Sequence, residues 1–256
     1  MSGGNCPETP RQRMIGMMYL MLTAMLALNV SGELLNAFLL VDRSILQAKE
    51  SVEKKNTSLY EGFAQAYASN PNKVEANLVK SNEIKLKADE LVAHIDSLKY
   101  LFVRTADGPE ATPDPNGGYE SVSNQDIAAQ LMITENGGRR SKEFKDMINA
   151  YRELLKSHVE DPDFKANLDV VLSTEPHPDI PDNRSWESEK FEYLPLAASM
   201  AILSQIQTDV RNMESDVVNR LFTAIDEDAF KFNAIEALVM QRSDYVIQGE
   251  DYYAEI

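Results

Sequence analysis

The chain has 256 residues, with 25 basic and 41 acidic side chains and a net charge of −16. At 43% apolar and 26% charged residues, it has the composition of a folded protein with enough chain for one large domain or two small ones. The acidity argues against nucleic-acid binding, which needs clustered Lys and Arg, and the single cysteine, Cys6, excludes an internal disulfide or a Cys-based metal cage.

Residues 1–13 read as a short cytoplasmic N-terminus and residues 14–33 as a transmembrane helix. Met14 to Val30 reads MIGMMYLMLTAMLALNV, and the charge-free run extends to Gly32. Seventeen helical residues span about 26 Å, close to the ~30 Å hydrocarbon core of a bilayer. Six of the eleven methionines lie at or before Met25. Leu34, Leu35, Phe38, Leu39 and Val41 carry the apolar stripe onward, so the helix is expected to leave the bilayer unbroken and run to about Asn56. Three other readings compete: a cleaved signal peptide, a buried helix of a soluble protein, and a plain anchor. The first has its positive start in Arg11 and Arg13 but only a weak cutting site at Val30-Ser31-Gly32.

Arg11 and Arg13 precede the span, while Glu33 and Asp42 are the first charges after it. The positive-inside rule therefore places the N-terminus in the cytoplasm and the bulk outside, which in a Gram-negative cell is the periplasm. Cys6 then sits in reducing cytosol, where a free thiol is normal. Only Arg11, Arg13 and Glu8 among the charged residues precede residue 33, so the remainder carries 23 basic and 40 acidic side chains, net −17.

Residues 34–226 read as a helical bundle domain. Leu34 to Ser58 continues the first helix, and Leu59 to Ala68 resumes it before the turn signal Asn70-Pro71-Asn72. Val74 to Val103 is amphipathic through Leu78, Ile84, Leu91, Ile95, Leu98 and Phe102. Thr105 to Asn124 is a Pro- and Gly-rich loop. Asp126 to Thr134 predicts a short helix capped by Asn124 and ended by Asn136-Gly137-Gly138. Ser141 to His158 predicts another, Asp161-Pro162 opens one to Leu172, and Pro176, Pro178 and Pro181 mark a second loop. Pro195 suits the first turn of a long final helix, whose stripe Ile202, Ile206, Val210, Met213, Val217 and Leu221 predicts a seam, either within the chain or between copies. In residues 227–256, Ala237 to Met240, Tyr245 to Ile247 and Tyr252 to Ile256 favour strands, read as the start of a truncated β domain.

No enzyme, cofactor or metal is expected. His94, His158 and His177 form no ligand spacing, and Glu175, His177, Asp179 and Asp182 read as loop polarity. The span is informative through what it lacks. Proton relay within a membrane needs an intramembrane acid, Lys or His, and the polar groups here are Tyr19, Thr23 and Asn29. If the chain serves an ion-driven machine, the titrating carboxylate must lie on a partner. Thr23, Ala27 and Ser31 form a small-residue row that permits close helix approach, or is generic spacing. Arg11 and Arg13 meet lipid phosphate or a partner's acid.

Pro10-Arg11-Gln12, Met18-Tyr19-Leu20 and Thr23 to Ser31 resemble the GldM/PorM family of the Bacteroidetes type IX secretion and gliding machinery. The likeness continues through Pro195 to Ala198, Ala201 to Ser204, Asp209-Val210, Asn212 to Glu214, Tyr245 to Glu250 and Tyr253 to Ile256. The resemblance implies a mainly α protein with one N-terminal transmembrane helix, a periplasmic helical domain and then β-sandwich domains, longer in full than this chain. It implies a homodimer threaded into a pentameric ring of GldL, driven by the proton motive force, and contact with outer-membrane components through the missing C-terminal domains. It also implies that Arg11 and Tyr19 lie near the essential glutamate of GldL. Thr23, Ala27, Asn29 and Glu33 complete the expected partner-contacting set. Unlike the flagellar stator and ExbD pattern, no Asp lies in the span, in keeping with a glutamate on the ring. The rival is a passive single-pass scaffold. A sensor would need a cytoplasmic output domain, and thirteen residues are too few to fold one.

Overall fold

The computed structural model describes residues 9–28, 32–177, 184–227, 240–241 and 254–255, with side chains for these except 24–28, 226–227 and the last four. The first helix, α1, is Pro10–Leu28. Thr9 accepts from the Gln12 amide through its hydroxyl at 3.4 Å, and the Gln12 side chain accepts from the Thr9 amide at 3.1 Å, a reciprocal cap that starts the helix. Four of its 19 residues are Pro10, Arg11, Gln12 and Arg13, leaving fifteen charge-free ones, about 22 Å of helix. Among the described residues no helix is long and apolar enough to cross a membrane. The expected junction, residues 29–31, lies outside them, and with it the expected unbroken passage into the next helix.

That helix, α2 (Gly32–Ser69), is continuous through Ser58 and Leu59, where an interruption was expected. The sequence Lys54 to Leu59 contains no Gly or Pro to break it. Asn70 and Pro71 turn the chain into α3 (Pro71–Asp107), with Pro71 tolerated in the first turn. The last long helix, α8 (Leu196–Glu227), completes the bundle. Side-chain pairs fix its direction. Asp42, Asn56 and Tyr60 of α2 meet Ser204, Arg211 and Glu214 in rising order, so α8 runs parallel to α2. Lys99, Asp89 and Asn77 of α3 meet Ser204, Arg211 and Leu221 in falling order, so α3 is antiparallel to both.

Between α3 and α8 the chain builds a flank of short helices. The loop after α3 is drawn in by Asp107, whose carboxylate accepts from the amides of Glu120 (2.6 Å) and Ser121 (3.0 Å) and from the Ser121 hydroxyl. Gly118 allows this loop to close, because a Cβ there would overlap the Thr112 carbonyl and hydroxyl oxygens. Asn124 caps the next segment, accepting from the Asp126 and Ile127 amides at 2.9 and 3.1 Å. The expected helix there is only Ile127–Ala129 (α4) before a π turn, Gln130–Thr134, and a 3₁₀ turn, Glu135–Gly138. Positive φ at Asn136, Gly137 and Gly138 reverses the chain into α5 (Arg139–Ser157).

Asp161 caps α6 (Pro162–Val171), and Ser185 caps α7 (Trp186–Phe191). Helix α7 falls where only loop was expected; the missed signal is Ser185 followed by Glu187 and Glu189 in the first turn. Helix α8 begins one residue after Pro195, and the carbonyls of Asn124 and Val122 accept from its Leu196 and Ala197 amides at 2.7 and 3.1 Å.

The core is continuous across these elements. Phe102, Phe191, Trp186 and Phe144 stand in a chain with centroids 6.0–6.2 Å apart, linking α3, α7 and α5 in mostly edge-on contacts. Phe63 meets Phe222 edge-on at 5.0 Å across α2 and α8. Near the C-terminus Met240–Gln241 and Ala254–Glu255 pair antiparallel; the rest of the expected strands, and any β-sandwich, lie outside the described residues.

Candidate functional site

On α1 the side chains from Met14 to Leu22 are exposed around the helix, between 58% and 75% for its large apolar residues, Tyr19 included at 68%. Arg11 and Arg13 are exposed at its start. The Thr23 hydroxyl donates back to the Tyr19 and Leu20 carbonyls at 2.8 and 3.0 Å, which removes its polarity from the surface. Glu33 is exposed on the first turn of α2. The side chain of Ala27, and Asn29 and Ser31 entirely, lie outside the described residues, so the small-residue row is not placed. Asp179 and Asp182 of the acidic loop are likewise outside them. Among the described residues no group of three His, Cys, Asp or Glu side chains is placed to hold a metal ion.

Four members of the expected α8 seam, Val210, Met213, Val217 and Leu221, are buried inside the single chain. Ile202 and Ile206 are different: they are half-buried, facing an open groove with Trp186. The six-residue stripe is thus not one uniform seam. Among the described residues its first turns lie beside the six-residue α7 and are left partly open, whereas its later turns are enclosed by the long helices.

The interior of the bundle carries polar residues that sequence reading passed over. Buried Lys99 donates to the Ser204 hydroxyl (2.7 Å) and the Gln207 side-chain oxygen (2.8 Å). Ser204 in turn donates to Asp42, which is 1% exposed. The Gln207 amide donates to Asp96 (2.7 Å) and to the Val92 carbonyl (3.2 Å). One layer thus ties α2, α3 and α8 together. Burial pushes the Lys99 ammonium down to about 8 and the Asp42 carboxyl upward, the latter opposed by Ser204 and by the Lys99 charge.

Two turns farther along, Arg211 reaches Asp89 (2.7 Å), Glu214 (2.8 Å) and Glu53 (3.4 Å), while the Tyr60 hydroxyl donates to Glu214 at 2.7 Å. Burial raises the Glu214 carboxyl against the pull of Arg211, and raises the Tyr60 hydroxyl with Glu214 adding to it. Amides of Asn56 and Asn77 donate to the Arg211 and Leu221 carbonyls, each at 3.1 Å. Both layers are built from directional bonds, most of them between different helices, which makes them register marks, although Asn56 Oδ1 and Arg211 Nε in the second layer lack a hydrogen-bond partner among the described residues. The signal for them was present: Asp42 continues the spacing of Leu35 and Leu39, and Lys99 lies four residues after Ile95 on the apolar stripe.

Comparison with known proteins adds one match. The family model described as "GldM N-terminal domain" matches residues 33–224, three-quarters of the chain and nearly all of the bundle described above. No curated protein matches the chain.

Proposed function

The chain belongs to the GldM family, a component of the gliding and type IX secretion machinery, and from that premise we propose that it is the transmembrane axle and periplasmic torque-transmitting subunit of a rotary motor formed with GldL. In this reading the machine is driven by the proton motive force. The observation that carries the axle is α1: a helix exposing apolar side chains around its surface from Met14 to Leu22, preceded by Arg11 and Arg13 and free of any titrating acid. Together with the uncharged sequence up to Gly32, this suits one passage through the inner membrane, N-terminus in the cytoplasm and bundle in the periplasm.

The coupling is electrostatic. Two copies of the helix in a five-fold ring cannot make equivalent contacts with every subunit. Protonation of a ring glutamate then changes which of them pairs best with Arg11, and the axle steps to the next. Charge pairing of this kind is strong where water is scarce. Tyr19 and Thr23 lie farther along the same helix, with Ala27, Asn29 and Glu33 following in sequence. The bundle's interhelical polar layers support the second half of the reading, because a lever must hold its helices in register under load.

The test is Arg11→Ala and Arg11→Lys in gliding cells. Secretion and gliding are lost while GldL still co-purifies; normal gliding in either variant overturns the role given to Arg11.

A further inference from the structure

The uncovered start of the α8 stripe has a defined shape. A groove of about 600 Å³ is floored by Ile148 of α5, Val171 and Leu172 at the end of α6, Trp186 of α7, and Ile202 and Ile206 of α8. Val170 at its edge is 75% exposed, so the apolar surface extends past the rim. Ile148, Leu172 and Trp186 are buried beneath the groove, so the apolar surface it offers to solvent comes from Val170, Ile202 and Ile206.

Its charges are unbalanced. Asp169 is engaged by Lys156 at 3.0 Å and Arg152 at 3.4 Å, and Glu189 by Lys190 at 2.8 Å. Asp209, half-buried in the groove wall, has no ion pair among the described residues; it accepts one hydrogen bond, from the Gln205 amide at 2.8 Å. A carboxylate drawn partly out of water beside aliphatic side chains, with no cation to meet it, is costly to keep. Glu175 adds a further acid to the rim. A second copy of this chain, net −16, is electrostatically the wrong occupant for such a surface.

We propose that this groove docks a segment of a partner polypeptide that sets a Lys or Arg against Asp209 and lays flanking aliphatic side chains on Val170, Ile202 and Ile206. The inference rests on the groove alone and stands whether or not the motor reading holds.

Trp186, the only tryptophan of the chain, lines the groove and reports its occupancy. The probe is the pentapeptide Ac-Ala-Leu-Lys-Leu-Ala-NH2, titrated into the full chain in detergent while Trp186 emission is followed, with the Glu-for-Lys peptide as control. The Lys peptide produces a saturable change and the Glu peptide none. Asp209→Asn, which keeps the side-chain shape, weakens the Lys peptide about tenfold, the scale of a lost charge pair. Ile206→Asn weakens it similarly, and thermal melts of both variants show that the bundle is intact. No saturable change, or an unaltered affinity in Asp209→Asn, overturns the proposal. So does a chain dimer that Ile206→Asn dissociates and that excludes the peptide, which would make the groove an interface between copies.

Discussion

Lys99 and Asp42 are opposite charges joined through a third residue: Ser204 accepts from the Lys99 ammonium at 2.7 Å and passes its own proton donor to the Asp42 carboxylate. Three helices meet at that hydroxyl. A link of this form is specific to one axial register, because a shift of any helix by one residue moves its member of the trio to another face.

The trio behaves as a unit. Lys99→Met takes the cation from Asp42 and the donor from Ser204 and Gln207 but also removes the burial of the ammonium, so its net cost is expected to be about 1–3 kcal/mol, the scale of acceptors left unpaired. Adding Asp42→Asn to that variant recovers part of the loss, because no uncompensated charge remains. Denaturant unfolding of the two single variants and the double variant gives the coupling; strict additivity of the two costs would show that the charges act independently.

Alkaline stability should carry the same signature. The Lys99 ammonium is depressed from 10.5 to about 8, so between those values the unfolded chain binds a proton that the folded chain has released. Stability therefore rises with pH above about 8. Half-buried Tyr60 and buried Tyr119 and Tyr151, raised above 10.0, pull the other way only above about 10, which leaves pH 8 to about 9.5 as the window to read. Thermal melts across it show the slope in the parent chain and its loss in Lys99→Met.

Asp209 makes the opposite prediction. Burial raises its carboxyl from 3.8 to about 6. Between these values the folded chain keeps a proton that the unfolded one has lost, so stability falls as pH rises from about 4 to about 6 and the cost then stays constant. Asp209→Asn removes it. The variant is expected to be more stable at pH 7 by on the order of 1 kcal/mol, a rise of about 2–4 °C in Tm, and to match the parent below pH 4.

Gly118 is tested by its smallest replacement. The Cβ of Gly118→Ala overlaps the Thr112 carbonyl, a backbone atom held by the loop's own hydrogen bond from the Thr112 amide to the Gly118 carbonyl at 2.9 Å. A loss of about 1–3 kcal/mol is expected, concentrated in residues 108–126. Hydrogen exchange should report faster opening of that loop, and of the α8 N-terminus that Val122 and Asn124 cap.

The lever reading is tested at its base. A Gly/Ser insertion after Glu33 interrupts α2 in its first turn without touching the bundle core. Gliding and secretion are expected to fail while the protein accumulates normally; unchanged motility would count against a stiff lever.

The long helices were legible because each buries one face of a 3.6-residue repeat: Leu91, Ile95, Leu98 and Phe102 announce α3, and Val210 to Leu221 announce α8. Punctuation was legible too, in Asn70-Pro71, Asn124 and Asp161-Pro162. The six-residue α7 was not, since less than two turns cannot display a period, and its anchors Trp186 and Phe191 are held by contacts with Phe144 and Phe102, distant in sequence. The polar layers escaped for a related reason. Lys99 and Asp42 each look like a flaw in an apolar stripe until the fold brings them to the same serine. The partial exposure of Ile202 and Ile206 among the described residues depends on how α5, α6 and α7 pack beside α8, which the stripe itself does not encode.

The course of the long helices has a mechanical consequence. Helix α2 begins at Gly32 at one end of the bundle, and α8, parallel to it, finishes at Glu227 at the other. A pull or twist applied between those two points loads α2 and α8 in shear, sliding one along the other, instead of peeling them apart from an end. In shear, the Asp42–Ser204, Asn56–Arg211 and Tyr60–Glu214 links are strained together rather than in turn. Unfolding by force between residues 32 and 227 should therefore require a single high rupture, whereas force applied across residues 69 and 227, which lie at the same end, should peel the helices apart gradually.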